Sequence, residues 1–365
     1  MNKETSIYLD AVRFIAAAAV FLDHTSGQRL TGGLFWQFGR YGPEAVSVFF
    51  VLSGFVIAHV TAEREHGAGS YALARAARIL SVAVPALLLT FALDAIGRAI
   101  NPDMYTLAWN YHANGRLWQA ISGLLFINGA WSIGTVIGSN LSYWTLGMEV
   151  PYYLIWGLAT YAPRNWRAPA VMLALVAYGP AVAALFPVWL LGVGAYHFTA
   201  RRQIGARLGV GLCVLPMLAW AIYEVWVWRG GVMLPNVAAL FPGDLTLQHY
   251  LLGTFFACHI VGFNAIAHEF AAPIKRFERP IRWTAGATFS LYLFHLPIAQ
   301  FIASVMPWPP WSTAGRVAVY AGTLVAVFVL AEVSERRKAQ WRQALSALLP
   351  IDRTARARPT VVNEA

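Results

Sequence analysis

The sequence predicts an all-α, polytopic integral membrane protein with about ten transmembrane helices. Of its 365 residues, 58% are hydrophobic and only 12% are charged, whereas about a quarter of an average soluble chain is charged. Apolar stretches of about 20 residues, the length that crosses a bilayer, recur along the chain. The fifteen Trp and fifteen Tyr residues fit two aromatic belts at the membrane interfaces.

The predicted spans follow one another up to residue 334. The fifth and sixth are short and divided near Pro180, so we expect them to be tilted or of half length. A weaker apolar stretch covers 116–134. The ten predicted spans are 7–25, 44–62, 79–98, 143–161, 168–181, 183–199, 208–228, 249–268, 284–305 and 315–334.

The distribution of basic residues predicts the orientation. With the N-terminus in the cytoplasm and 116–134 at the outer face, 20 of the 27 Lys and Arg residues lie on inner segments and four on outer ones. Cytoplasmic loops of membrane proteins carry this excess, and a crossing at 116–134 would abolish it. We therefore expect both termini in the cytoplasm. The same rule accounts for the net charge of +10, so no nucleic-acid partner is inferred.

The chain divides into a membrane domain and a tail. Residues 1–334 form the predicted membrane domain, with 99–142 as a cap loop over the outer vestibule; its polar and aromatic residues suit a sugar surface or an ordinary interfacial loop. Residues 335–365 are predicted to be a basic cytoplasmic tail, partly disordered and attracted to anionic membrane lipid. Cys213 and Cys258 form neither a disulfide framework nor a metal motif, and no metal site is predicted. No cleavable signal peptide is expected.

The first span carries ionisable residues that are functional candidates, because charge inside a membrane is costly. Asp10, Arg13, Asp23 and His24 lie within it or at its edge. Arg13 and His24 are about 16 Å apart along the helix axis and share one face, since eleven steps of about 100° nearly complete three turns. This face would line a path with a cation near its inner side and a titratable base near its outer side.

Two further spans contain titratable residues. The fourth, running inward, places Glu149 at a depth similar to that of His24. A carboxylate beside an imidazole raises its basicity, as a general base requires. His295 lies near the middle of the ninth span, where it suits an inter-helix hydrogen bond as well as catalysis.

Arg75 and Arg78 precede the third span at spacing i, i+3, so both project from one helical face at the inner membrane boundary. Guanidinium groups bind phosphate bidentately. The alternative is simple anchoring by positive charge on the cytoplasmic side.

Taken together, these segments resemble the membrane acyltransferase-3 family, bacterial integral-membrane enzymes that acylate, and often O-acetylate, surface glycans. Five motifs carry the resemblance in the family's order. They are "YLDAVRFIAAAAVFLDH" with Asp10, Arg13 and His24; "AVSVFFVLSGFVI" with Ser53; the pair Arg75 and Arg78; "WTLGMEVPYY" with Trp144, Glu149 and Tyr153; and "YLFHLP" with Tyr292 and His295.

The resemblance implies an O-acyltransferase of the bacterial cytoplasmic membrane. It implies acyl-CoA, most often acetyl-CoA, as a cytoplasmic co-substrate without a bound cofactor, and a glycan or glycolipid hydroxyl on the outer side as acceptor. Arg75 and Arg78 would hold the phosphates of coenzyme A. His24 would take the proton from the acceptor hydroxyl, oriented by Glu149.

Several points stay open at the level of sequence. Arg13 would either stabilise the thioester or hold the helix packing through Asp10, and Trp144, Tyr153 and Tyr292 would support the site. An acyl relay through Ser53 or His295 ranks below direct transfer, because no nucleophile–base pair occurs at short spacing. The alternative function is a transporter or flippase for a lipid-linked or amphipathic glycan, using the same charged path.

Overall fold

The computed structural model describes residues 1–106, 111–112, 114–131, 134–231, 234 and 247–348. Of these residues, 83% are helical and none belongs to a β-strand, which confirms the predicted all-α fold. The described residues form fifteen α-helices, joined in places by 3₁₀ turns. They are α1 (Lys3–Thr25), α2 (Gln28–Thr31), α3 (Gly42–Glu63), α4 (Ala68–Ile100), α5 (Asp103–Thr106), α6 (Arg116–Leu124), α7 (Leu146–Tyr161), α8 (Arg167–Tyr178), α9 (Pro180–Arg201), α10 (Ala206–Trp228), α11 (Leu247–Ile266), α12 (Ala271–Ala285), α13 (Thr288–Val305), α14 (Thr313–Val333) and α15 (Lys338–Leu348).

Within the described ranges, eight helices or continuous helical runs are long and apolar enough to cross a membrane. They are α1, α3, α4, α9, α10, the run from α11 into α12, α13, and the run from α14 into α15. The polytopic membrane fold is thereby confirmed, with fewer full-length spans than the ten predicted. The two exceptions are the predicted spans 143–161 and 168–181, which form α7 with 16 residues and α8 with 12.

Local backbone geometry ends both of these short helices. α7 follows a 3₁₀ turn (Leu141–Thr145) and stops at Ala162, which is extended because a residue before proline disfavours the helical region. α8 stops because Gly179 adopts φ +87°, a conformation that favours glycine. Pro180 then begins α9. The division predicted near Pro180 is therefore present, and it shortens α8 alone.

Segment 116–134 was predicted to lie at the outer face without crossing. Its described residues include α6, which at nine residues is too short to cross a bilayer. α6 buries Gln119 and Ser122 and leaves Leu117 and Ile121 exposed. A polar face packed on the protein and an apolar face turned outward suit a helix lying at a membrane surface.

The central helix of the bundle is α13, in which 14 of 18 residues are buried. α1, α4 and α14 pack around it, and α1 also packs against α3 and α12. α10 lies at the periphery, against α11. α1 therefore lies beside α13, which carries a titratable side chain of its own, His295.

α3 and α9 approach each other closely through two glycines. A Cβ atom at Gly192 would lie 1.9 Å from the carbonyl oxygen of Val51, and one at Gly54 would lie 2.0 Å from that of Trp189. Only a residue without a side chain permits this approach. The contact places Ser53 beside Trp189, whose Nε1–H donates to Ser53 Oγ at 3.2 Å.

The first part of the predicted tail is helical, because α15 begins at Lys338 and packs against α4. The rest of the tail, from 349 to 365, lies outside the described residues, so its partial disorder stays a prediction. The domain boundaries and the cytoplasmic position of both termini likewise stay predictions.

Candidate active site

Two histidines distant in sequence meet inside the bundle. His24 lies in the last turn of α1, and His295 lies in the middle of α13 without solvent exposure. His24 Nδ1 is 2.9 Å from His295 Nε2, and the two rings stack with their centroids 5.1 Å apart. Of the two roles that the sequence left open for His295, the structure shows an inter-helix hydrogen bond, and its partner is the predicted base.

The other ring nitrogen of His295 determines where the protons lie. Its Nδ1 is 2.7 Å from the carbonyl oxygen of Leu291. A carbonyl only accepts, so this Nδ1 carries the hydrogen, and Nε2 of the neutral ring accepts from Nδ1–H of His24. His24 Nε2 is then the unprotonated ring nitrogen in the neutral pair.

His24 lines a cavity of about 830 Å³, the large cavity. Asp23 also lines it, and its Oδ2 lies 3.8 Å from His24 Nε2. A carboxylate at this distance attracts an imidazolium that forms on His24. The large cavity further includes polar and aromatic side chains, among them Ser26, Asn128, Trp131, Thr135, Trp144 and His249.

A second cavity of about 50 Å³, the small cavity, adjoins the first. Val46 and Tyr292 line both cavities and so form the boundary between them. The other residues that line the small cavity include charged, polar and aromatic side chains: Arg13, Phe49, Phe50, Ser53, Arg78, Thr145, Glu149, Thr288 and Phe289.

Glu149 does not occupy the position that the sequence predicts for it. It was expected to orient His24, but its Oε1 accepts hydrogen bonds from Ser53 Oγ at 3.1 Å and from the Tyr153 hydroxyl. Glu149 lies in the first turn of α7, which begins at Leu146, and it lines the small cavity. The imidazole of His24 is instead hydrogen-bonded to His295.

The small cavity brings two guanidinium groups and one carboxylate together. Glu149 attracts both Arg13 and Arg78 electrostatically and so compensates part of their buried charge. Arg13 Nη1 also lies 3.6 Å from Asp10, which pairs with Arg282 of α12. Arg13 thus touches both the cavity and the helix packing, the two roles that the sequence left open.

Arg75 and Arg78 do not line one common site, although their spacing predicts that they bind phosphate together. Arg78 lines the small cavity, whereas Arg75 Nη2 lies 2.7 Å from Glu65 Oε1 in an ion pair. The Arg75 guanidinium also lies over the rings of Tyr71 and Tyr153, at 5.6 and 5.9 Å. Glu65 lies in the short loop that follows α3. The spacing of residues along α4 could not predict this ion pair, because its partner lies outside that helix.

The remaining predicted residues lie around the boundary of the two cavities. Trp144 lines the large cavity, and Tyr292 packs its ring edge-on against Phe49 with centroids 5.3 Å apart. Sequence reasoning missed His249, which lines the large cavity and holds Ser47 Oγ at 2.7 Å from its Nδ1. The available signal was a histidine at the very start of a predicted span.

Buried charges around two adjoining cavities of a helical bundle define an integral-membrane protein with an intramembrane candidate active site. The chain belongs to the acyltransferase-3 family, because the family profile described as an acyltransferase domain matches residues 6–332. The resemblance inferred from the five motifs is thereby confirmed. Membership also favours an acyltransferase over the alternative of a transporter or flippase.

Curated relatives agree with this assignment. Acyltransferase MdmB of Streptomyces mycarofaciens is 29% identical, over 88% of this chain and 87% of that protein. O-acetyltransferase OatA of Staphylococcus aureus is 21% identical, over 90% of this chain but 55% of that protein. Peptidoglycan O-acetyltransferase OatA of Listeria monocytogenes is 22% identical, over 90% of this chain and 54% of that protein. The chain thus spans about half the length of the OatA proteins. No solved structure matches significantly.

Proposed function

We propose that this chain transfers an acyl group, in the simplest case acetyl, from acyl-CoA to a hydroxyl of a glycan or glycolipid. Family membership and relatives named O-acetyltransferase and peptidoglycan O-acetyltransferase support the reaction class. The single observation that carries the proposal is the junction of the two cavities at Val46 and Tyr292. One cavity is cationic, and the other presents a basic histidine.

Direct transfer needs one group that takes up a proton, and this group must lie on the side of the junction where the glycan hydroxyl binds. His24 Nε2 takes the proton as the hydroxyl oxygen attacks the thioester carbonyl carbon. The new C–O bond forms, the C–S bond breaks, and the leaving thiolate of coenzyme A receives a proton. His295 holds the reactive tautomer of His24, and Asp23 stabilises the imidazolium; a general base of this kind contributes about 10²–10⁴-fold.

The donor carries phosphates and a thioester, and the small cavity offers cations for both. Arg78 attracts the anionic donor, and Arg13 stabilises negative charge that develops on the thioester oxygen. Glu149 offsets part of the charge of the two cations when the donor is absent. Arg75, held by Glu65, positions the Tyr153 ring and the loop after α3. We place the donor on the cytoplasmic side of a bacterial cytoplasmic membrane and the acceptor on the outer side, as the family resemblance implies.

The large cavity suits a carbohydrate acceptor. Its volume of about 830 Å³ lies within the range of ordinary small-molecule sites, roughly 300–1,000 Å³. Trp131 and Trp144 supply apolar ring faces, and Asn128 and His249 supply hydrogen-bonding groups. Sugar rings present both kinds of surface, so this lining supports a glycan or glycolipid.

Direct transfer is preferred to a relay through Ser53. Ser53 Oγ already contacts the Glu149 carboxylate and the Trp189 indole, and both contacts hold it in the helix packing. His295 uses both ring nitrogens in hydrogen bonds. A quenched single turnover with labelled acetyl-CoA distinguishes the routes, because a relay leaves label on the protein and direct transfer does not.

The function is tested by deleting the gene and analysing surface glycans by mass spectrometry, which reports acyl group and acceptor together. We expect an acyl ester to disappear from an otherwise intact glycan and to return with the wild-type gene. His24→Ala should not restore it, although the protein is present in the membrane. His268→Ala, at an exposed histidine of the same chain, is the matched control and should restore it fully.

Two outcomes would contradict the proposal. Loss of the whole polymer without a change in its acylation would indicate transport. Full restoration by His24→Ala would leave acyl transfer in place and remove the general-base role.

A further inference from the structure

The apolar part of the small cavity has the dimensions of a short acyl group. A space of about 10–15 Å³ holds one water-sized group, so a cavity of about 50 Å³ holds roughly three to five non-hydrogen atoms. An acetyl group and its thioester sulfur together have four, whereas a butyryl group and its sulfur have six. The methylenes of a longer acyl chain therefore need space that this cavity lacks.

The walls of the cavity resist expansion. Phe49 packs edge-on against Tyr292, and Phe50 packs edge-on against Tyr152 with centroids 5.6 Å apart. Both phenylalanines come from α3, the helix locked against α9 by its glycine contact. Rings held by such contacts and by close packing do not move aside without loss of packing energy.

Val46 is the exception, because space lies behind it. Its side chain is 6% exposed and lines both cavities. Removing its two γ-methyl groups would join the small cavity to the large one along the line between them. Extra methylenes of an acyl chain would then extend into the large cavity.

We propose that the small cavity is the acyl-binding chamber and that Val46 makes it favour acetyl over longer acyl groups. The inference rests on the proposed function, since it assigns the acyl end of the acyl-CoA donor to this cavity. Phe49 and Phe50 form the fixed walls, and Val46 is the residue at which the limit can be relaxed. A pocket that discriminates by one methylene does so by about 10–200-fold.

The test measures binding of acetyl-, propionyl- and butyryl-CoA to the purified full-length protein in lipid nanodiscs, without acceptor. The wild-type protein should bind acetyl-CoA at least about tenfold more tightly than butyryl-CoA. Val46→Ala should reduce this ratio to near one, because butyryl-CoA gains affinity when its chain can extend into the large cavity. Val46→Thr, which keeps the branched shape, should retain the wild-type preference.

Val48→Ala is the matched control for truncation. Val48 lies two residues away on α3, is partly buried and packs against the core. We expect it to leave the chain-length preference unchanged. A shift equal to that of Val46→Ala would mean that loosening of α3, and not the chamber wall, sets the preference.

Different results would contradict this proposal and the proposed function on which it rests. Equal binding of all three thioesters by the wild-type protein overturns the chamber but leaves acyl-CoA as donor. Absence of binding for every thioester, in protein that is folded by thermal unfolding, overturns acyl-CoA as the donor itself. A preference that Val46→Ala leaves intact places the limit at a different wall.

Discussion

His24 and His295 are joined by a hydrogen bond of 2.9 Å between Nδ1 of the first and Nε2 of the second. The bond links the C-terminal turn of α1 to the most buried helix of the bundle. Because His295 is itself held by the Leu291 carbonyl, it determines the proton position on His24 without reaching the large cavity. His295 is therefore a positioning residue.

His295→Ala should lower kcat by about 10–100-fold and leave the KM for acyl-CoA nearly unchanged, because the base loses its orientation but the donor site is intact. His24→Ala should be the more severe change. His295→Gln offers an accepting oxygen to His24 and should recover part of kcat. Steady-state kinetics with the acceptor identified by glycan analysis provide the measurement; a KM effect without a kcat effect would argue against positioning.

Arg78→Ala should raise the KM for acyl-CoA about tenfold, in line with loss of one charge-assisted contact. Arg75→Ala should affect KM much less and instead lower the thermal unfolding temperature, because it leaves Glu65 without its partner. The two variants differ by one helical turn and remove the same charge, so each controls for the other. An equal rise in KM for both variants would mean that Arg75 and Arg78 bind the donor together, as the sequence predicts.

Glu149→Gln should lower the unfolding temperature in detergent by several degrees, because two buried guanidinium groups lose their shared carboxylate. Glu332→Gln is the control: its ion pair with Arg336 lies on a side chain that is 58% exposed, and exposed pairs contribute little. Combining Glu149→Gln with Arg78→Gln should be less destabilising than the sum of the single changes. Additive losses would mean that Glu149 does not compensate Arg78.

Gly192→Ala should strongly reduce the amount of folded protein, since its Cβ would lie 1.9 Å from the Val51 carbonyl oxygen. Gly194→Ala, two residues along α9, meets nothing within 4 Å and should be tolerated. Size-exclusion profiles and unfolding temperatures of the two variants give the comparison. Normal folding of Gly192→Ala would show that α3 and α9 can separate without cost.

Features that depend on one helix were predictable from the sequence. The apolar stretches predicted the helices. The eleven-residue step predicted one shared face for Arg13 and His24, and each of them lines a cavity of the bundle. The break at Pro180 was visible because proline and the preceding glycine interrupt a helix locally. Backbone preferences of this kind act over a few residues and leave a readable pattern.

Features that depend on contacts between helices were not predictable from the sequence. His24 and His295 are 271 residues apart, and only the packing of α1 on α13 decides that they meet. Arg75 and Arg78 look equivalent along α4 until Glu65 captures one of them. Glu149 was placed by counting turns from an assumed membrane boundary, and such a count cannot show that its carboxylate meets Ser53 of α3.

The boundary formed by Val46 and Tyr292 also bears on a side reaction. A histidine that deprotonates a sugar hydroxyl also activates water, and a thioester within its reach would be hydrolysed whenever the acceptor is absent. With the acyl chamber behind the boundary and His24 in front of it, donor lifetime depends on how tightly these two side chains close. The rate at which free thiol is released from acyl-CoA without acceptor therefore measures how well these two side chains separate the thioester from water.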